Sequence, residues 1–243
     1  MTGETHTYLI YGVSRGLGKA ILKFLPEQAD RVIGVSRTRP AYPEATRGDN
    51  IWIQADLSRP REAARIIQEA VGNEKIDYLI YNVGIWEKTG FTAEYDFEKQ
   101  EDSEIQKMIS TNITSAILSV KSLLPNIRLS KNGKIIFIGS TLGLQNHNKK
   151  EVVFSATKFA IQGIIHALRT HARIDHIGVS VIHLGDMATQ YEYEAGTAIV
   201  TEKHKGTLIP LGDVLDALRF ITRSSNAACI KEITMPSMQD PDI

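Results

Sequence analysis

Short runs of β-branched and aromatic residues alternate with longer segments of helical period along nearly the whole chain, and that alternation leaves few folds open. The runs are residues 8–11, 31–35, 51–53, 78–81, 134–138, 179–182 and 230–235. Helical stretches fall between them at 16–25, 61–71, 103–124, 153–172 and 213–222. Most runs carry apolar residues consecutively, as strands do when both faces of a sheet are covered. The expected architecture is α/β, a doubly wound parallel sheet with helices on both faces. No repeat, low-complexity stretch or linker divides the chain, so residues 1–243 are expected to form a single domain. Two connections, 86–102 and 186–207, are longer than such a fold needs, which marks functional or mobile loops.

The first run meets the first helical segment at Tyr11-Gly12-Val13-Ser14-Arg15-Gly16-Leu17-Gly18. Gly12 permits a tight turn, Gly16 lets backbone approach a pyrophosphate, and Gly18 lets the helix pack closely on the sheet. The free N–H groups at that helix's start suit an anion. A glycine triplet in an arbitrary loop says little. Opening the first strand–helix unit of a βαβ series, it stands where a dinucleotide site requires it.

Charge narrows the function classes. Lys+Arg and Asp+Glu balance at 28 each, so the electrostatic footprint of a nucleic-acid binder is missing. No apolar run is long enough for a membrane span, and the polar start shows no signal peptide. The single cysteine, Cys229, excludes an internal disulfide framework and is expected as a packing residue. These features fit a cytoplasmic protein. The histidines show no metal-ligand spacing, and no metal is expected.

The turn spacing, G-x-x-x-G-x-G, resembles that of the short-chain dehydrogenase/reductase family, with Tyr11 where the family usually has Thr. Later motifs follow in the family's order. Asp56-Leu57 resembles the pair that holds the adenine, and Asn82-Val83-Gly84 is similar to the Asn-Asn-Ala-Gly element, with Tyr81 and Val83 as departures. Asn112 matches the helix asparagine of the active site and Ser140 the catalytic serine. Phe154-Ser155-Ala156-Thr157-Lys158 falls where the family has Tyr-x-x-x-Lys. Leu184-Gly185 to Thr189 resembles the Pro-Gly segment, Leu184 replacing Pro and Thr189 placed to bind the carboxamide. The resemblance implies a seven-stranded Rossmann-type sheet, a small-molecule substrate, and a homodimer or homotetramer built on helices 103–124 and 153–172.

For the cofactor, the resemblance points to NADP(H), with NAD(H) less favoured. An acidic residue after the second strand would repel a 2′-phosphate; this chain has Ser36-Arg37, and Arg15 reaches the same place from the turn. Cofactor contacts are thus expected from Gly12, Ser14, Arg15, Gly16, Leu17, Gly18, Ser36, Arg37, Asp56, Leu57, Asn82, Gly84, Lys158, Gly185 and Thr189.

The expected catalytic set is Asn112, Ser140, Phe154 and Lys158, and it lacks the family's tyrosine hydroxyl. In the family that hydroxyl exchanges a proton with the substrate oxygen while hydride moves to or from the nicotinamide. A literal Tyr95-x-x-x-Lys99 exists but precedes Asn112 and Ser140 in the chain, and is read as a decoy. Three readings of Phe154 stand open. The chain is an engineered inactive variant of an enzyme with tyrosine there; or Phe154 is native to a reductase acting on a carbonyl or conjugated enone without that acid; or the protein is a non-catalytic dinucleotide-binding sensor or scaffold. His147 and His183 flank the expected site as substitute acids. The segments 191–194 and 203–205 lie in the loop that closes over substrate in the family, and are expected as solvated lid surface.

Overall fold

The structure, a computed structural model, describes residues 5–40, 50–145 and 148–240. Seven strands form one sheet: β1 (Thr7–Tyr11), β2 (Arg31–Ser36), β3 (Ile51–Gln54), β4 (Tyr78–Tyr81), β5 (Lys134–Ile138), β6 (Gly178–Leu184) and β7 (Glu232–Met235). Their order is β3-β2-β1-β4-β5-β6-β7, and every pairing is parallel. Among the described residues seven α-helices accompany them: α1 (Gly16–Phe24), α2 (Pro60–Val71), α3 (Asp102–Ile109), α4 (Ser115–Arg128), α5 (Val152–Ala172), α6 (Thr197–His204) and α7 (Leu211–Arg223).

The period of two along each strand divides the core in half. Leu9 and Tyr11 join the face covered by α2, α4 and α5, where Ile67, Leu123 and Ile165 are fully enclosed. Tyr8 and Ile10 join the opposite face with Ile21 of α1 and Leu218 of α7. Burial on both sides explains the unbroken apolar runs. From β1 the chain winds outward to β3, then crosses back to β4 and winds the other way. The crevice beyond the carboxyl ends of β1 and β4 is therefore the switch point where such folds bind ligands.

Three sequence expectations need correction. The single helix at 103–124 is two, α3 and α4, joined by a π turn at Ser110–Thr114. The Tyr81 and Ser115 hydroxyls both donate to the Thr111 carbonyl inside that turn, at 3.3 and 2.6 Å. The long connection 186–207 contains α6, which buries only Val200 and so has no apolar stripe to announce it. Cys229 is exposed, because it precedes β7 at the edge of the sheet instead of lying in the core.

Candidate active site

The glycine turn is built on close approach. A Cβ at Gly18 would lie 1.9 Å from the Gly12 carbonyl oxygen, so no side chain fits. Gly12 adopts φ +83°, and a Cβ there would meet the Asn82 oxygen at 2.4 Å. The turn of β1 and the end of β4 thus touch through backbone, leaving a cradle only glycine can shape. Ser14 and Arg15 are exposed at its rim, whereas Leu17 turns its side chain into the core and offers only its backbone.

At the end of β2, Arg37 is exposed. Ser36 has a structural task that the sequence did not show. Its hydroxyl donates to the Thr38 carbonyl at 2.7 Å and accepts from the Trp52 indole at 3.0 Å, so it is already committed. Asp56 follows β3. Burial pushes its carboxyl up, but hydrogen bonds from the Ser58 amide and hydroxyl, with Arg37 and Arg59 nearby, hold it below the usual range. Leu57 is buried in the core, so only its backbone faces outward.

The four expected catalytic positions come from three places in the fold, with Phe154 and Lys158 both on α5. Asn112 sits in the π turn, a distortion that recurs at functional sites. Its amide is fully engaged: Oδ1 accepts from Ile85 N at 2.9 Å, and Nδ2 donates to Ile85 O and to Thr157 Oγ1 at 2.7 and 3.0 Å. It ties the end of β4 to α5. Ser140 follows β5, its Oγ accepting from Leu142 N at 3.2 Å. Lys158, buried on α5, donates to the Ile138 carbonyl at 3.4 Å. Its Nζ would lie 3.3 Å from a Cβ built on Gly84. Burial lowers its pKa to about 8. Phe154, one helical turn earlier, presents its ring 5.3 Å from that Nζ.

Around Phe154 lies an aromatic cluster that the sequence reading missed. Trp86 and Phe91 meet its ring edge-to-face at 6.3 and 5.7 Å. Phe91 holds φ +65°, a costly conformation for a bulky residue, while the Glu151 carboxylate accepts from its amide at 2.6 Å. Glu87 reaches across to the start of α5 and accepts from the amides of Val153 and Phe154 at 3.0 and 3.1 Å. This long-range cap fixes the helix carrying Phe154 and Lys158. A local capping motif could not reveal it, because donor and acceptor are 66 residues apart or more.

Both ring nitrogens of His183 have partners. The residue lies on β6 behind Ser140, its Nδ1 meeting the Ser140 carbonyl at 3.3 Å and its Nε2 meeting Gln162 at 3.0 Å. Burial pushes its pKa down, which favours the neutral ring. His147 lies outside the described residues. Tyr95 reaches the start of α5, where its Oη accepts from Val152 N, while exposed Lys99 pairs with Asp96 at 2.7 Å.

The loop after β6 folds over the turn. Gly185 donates to the Met235 carbonyl at 3.1 Å, and Thr189 would lie 3.4 Å from a Cβ on Gly16. The loop is not merely solvated surface. Glu192 and Glu194 pair with Lys19 and Lys23 of α1 at 2.7 and 3.0 Å, and Tyr193 stacks on Phe24.

Comparison with known proteins bears on the family and the fold. The family model described as short chain dehydrogenase matches residues 6–198. Among curated proteins, a 3-ketodihydrosphingosine reductase of Bacteroides thetaiotaomicron is 28% identical over 75% of this chain, a match that covers 64% of the relative. A 3-oxoacyl-[acyl-carrier-protein] reductase of Vibrio cholerae is 25% identical over 97% of this chain and 96% of its own. Among solved structures, a short chain dehydrogenase family protein from Francisella tularensis has a TM-score of 0.78 at 18% identity, covering 96% of this chain and 98% of its own. A metagenomic short-chain oxidoreductase in complex with NADP has a TM-score of 0.73 at 20% identity, with the same coverage. No helix among the described residues is long and apolar enough to cross a membrane.

Proposed function

The chain belongs to the short chain dehydrogenase family, and from that premise we propose that it is an NADP(H)-dependent oxidoreductase of small carbonyl or conjugated enone substrates. The observation that carries this reading is the backbone cradle of Gly12, Gly18 and Asn82, lying beside Lys158, Ser140 and Asn112 at one end of the sheet. The cradle fits a dinucleotide, because a single Cβ would fill it. Bound there, the cofactor would supply or accept hydride. Arg15 and Arg37 would hold its 2′-phosphate, Asp56 and the Leu57 backbone its adenine, Lys158 its ribose, and Thr189 its carboxamide.

We take Phe154 as native to this reaction. Its ring is packed edge-on by Trp86 and Phe91, an apolar setting complete without a hydroxyl. Ser140 would then orient the substrate oxygen, and Asn112 would hold the end of β4 against α5. The protein would act in the cytoplasm as a homodimer or homotetramer, with exposed Ile117 of α4 and Phe159 of α5 at the interface.

The test is NADPH oxidation with a panel of diketones and enones, run on the parent and on Phe154→Tyr. The parent turns over at least one substrate, and the added hydroxyl leaves the rate within a few-fold. A gain of about 10²–10⁴, the usual contribution of a positioned general acid, would show that the chain lacks an acid its chemistry needs. NADPH binding without turnover by either protein would favour a sensor or scaffold.

A further inference from the structure

The absence of a tyrosine leaves open which group protonates the substrate oxygen, and this inference rests on the oxidoreductase reading above. We propose that the Lys158 ammonium is itself the general acid, delivering its proton to the oxygen as hydride reaches the substrate carbon. The neighbouring groups narrow the choice. Asn112 spends its amide on Ile85 and Thr157, and His183 is held behind Ser140 by the Ser140 carbonyl and Gln162. Glu87 holds the start of α5 through Oε1 alone, accepting from the amides of Val153 and Phe154, and its buried Oε2 has no partner among the described residues. Ser140 carries a hydroxyl but no ionisable proton near neutral pH.

Lys158 differs from all of these. No ion pair ties it among the described residues, and its one hydrogen bond, to the Ile138 carbonyl, is long at 3.4 Å. Gly84 leaves open the space beside Nζ, and Phe154 offers an aromatic face 5.3 Å away that holds the cation without taking its proton. His183 of β6 feels the Lys158 charge, and its burial favours the uncharged form; Glu87 lies at the start of the same helix, while Gly84, the turn Thr141–Gly143 and the Phe154 ring carry no titratable group. Burial places the lysine near pH 8, within the range useful to an acid at neutral pH.

The step balances. The substrate carbon gains a hydride from the reduced dinucleotide, which leaves oxidised, and the C=O π pair moves onto oxygen. That oxygen takes a proton from Nζ; the N–H bonding pair stays on nitrogen as a neutral amine, which regains its proton from water. In a conjugate reduction the same proton goes to the enolate oxygen.

Two measurements test the assignment. NMR titration of lysine side chains in the cofactor-free protein, with Lys158→Met to identify the resonance, should place Lys158 near 8. With NADPH and either phenanthrenequinone or cyclohexenone, the parent rate should fall as pH rises through that value. Lys158→Arg, which stays protonated throughout, should lose about 10²-fold at neutral pH and show no such fall. An ordinary lysine titration, or Lys158→Arg within about three-fold of the parent, overturns this proposal alone. A parent that turns over neither probe overturns it together with the oxidoreductase reading.

Discussion

Lys158 carries its charge into a space where no carboxylate meets it among the described residues, and the folded protein bears that cost. A pKa near 8, against an ordinary 10.5, corresponds to roughly 3 kcal/mol favouring the neutral amine. Below about pH 8 both folded and unfolded chains hold the proton, and the folded state carries the full penalty. Between about 8 and 10.5 the folded amine is neutral while the unfolded chain still binds a proton, so stability rises with pH across that window. Lys158→Met removes the buried charge and keeps the bulk. We expect the cofactor-free variant to be more stable by about 1–3 kcal/mol at neutral pH, with the advantage shrinking toward pH 10.5. The same variant should bind NADPH about ten-fold more weakly, having lost a charged donor. Urea unfolding across pH and a fluorescence titration check both. A variant no more stable than the parent would mean that water already reaches Nζ.

Among the elements, the loop after β6 is held to α1 by contacts of unequal worth. The Lys19–Glu192 and Lys23–Glu194 pairs are largely solvent-exposed, and such pairs contribute about 0–1 kcal/mol each. The Phe24–Tyr193 stack, with centroids 4.3 Å apart, adds roughly 0.5–1.5 kcal/mol beyond the apolar area it buries. Tyr193→Ala should therefore loosen the loop far more than Lys19→Ala. Limited proteolysis within 186–207 should accelerate about ten-fold in the first variant and less than about two-fold in the second, if the stack governs opening. Equal acceleration by both would assign the hold to charge. The sequence read the elements unevenly for physical reasons. The five inner strands were legible because burial on both faces writes itself as an unbroken apolar run, whereas the edge strands β3 and β7 are only partly covered and show it weakly. α6 was not, since Val200 alone turns inward, and neither was the π turn, because Ser110–Thr114 keeps helical composition while changing its hydrogen bonding. The order of Asn112, Ser140 and Lys158 could be read, but the cluster of Trp86, Phe91 and Glu87 could not. Their contacts cross from a loop to a helix about sixty residues away, and no local pattern encodes such a meeting.

The whole molecule has no formal net charge, so net charge does not draw an anionic cofactor to it. Discrimination between NADPH and NADH must come from cations grouped at one place. The connections after β2 and β3 supply Arg37 and Arg59, both near Asp56, and the glycine turn supplies Arg15. Directly after β2 stand Arg37, Thr38 and Arg39, with no acidic side chain among them to bind a free ribose and repel a phosphate; Ser36 is occupied by Trp52 and Thr38. Each arginine is exposed, and singly each would contribute little. A 2′-phosphate accepting a charge-assisted pair changes that, at about 1.5–3 kcal/mol. NADPH should therefore bind about ten-fold or more tightly than NADH at low salt. Because the Debye length shrinks from about 10 Å at 0.1 M to about 3 Å at 1 M, added salt should narrow the ratio. Arg37→Ala should bring the two affinities within a few-fold by weakening NADPH while leaving NADH nearly unchanged, since only the phosphorylated cofactor has a partner for that side chain. Fluorescence titration of both cofactors against both proteins, at low and high salt, separates the possibilities. Equal affinities in the parent at low salt would sink the preference. A loss of NADH affinity in Arg37→Ala equal to that of NADPH would mean that the arginine stacks on adenine and does not read the phosphate.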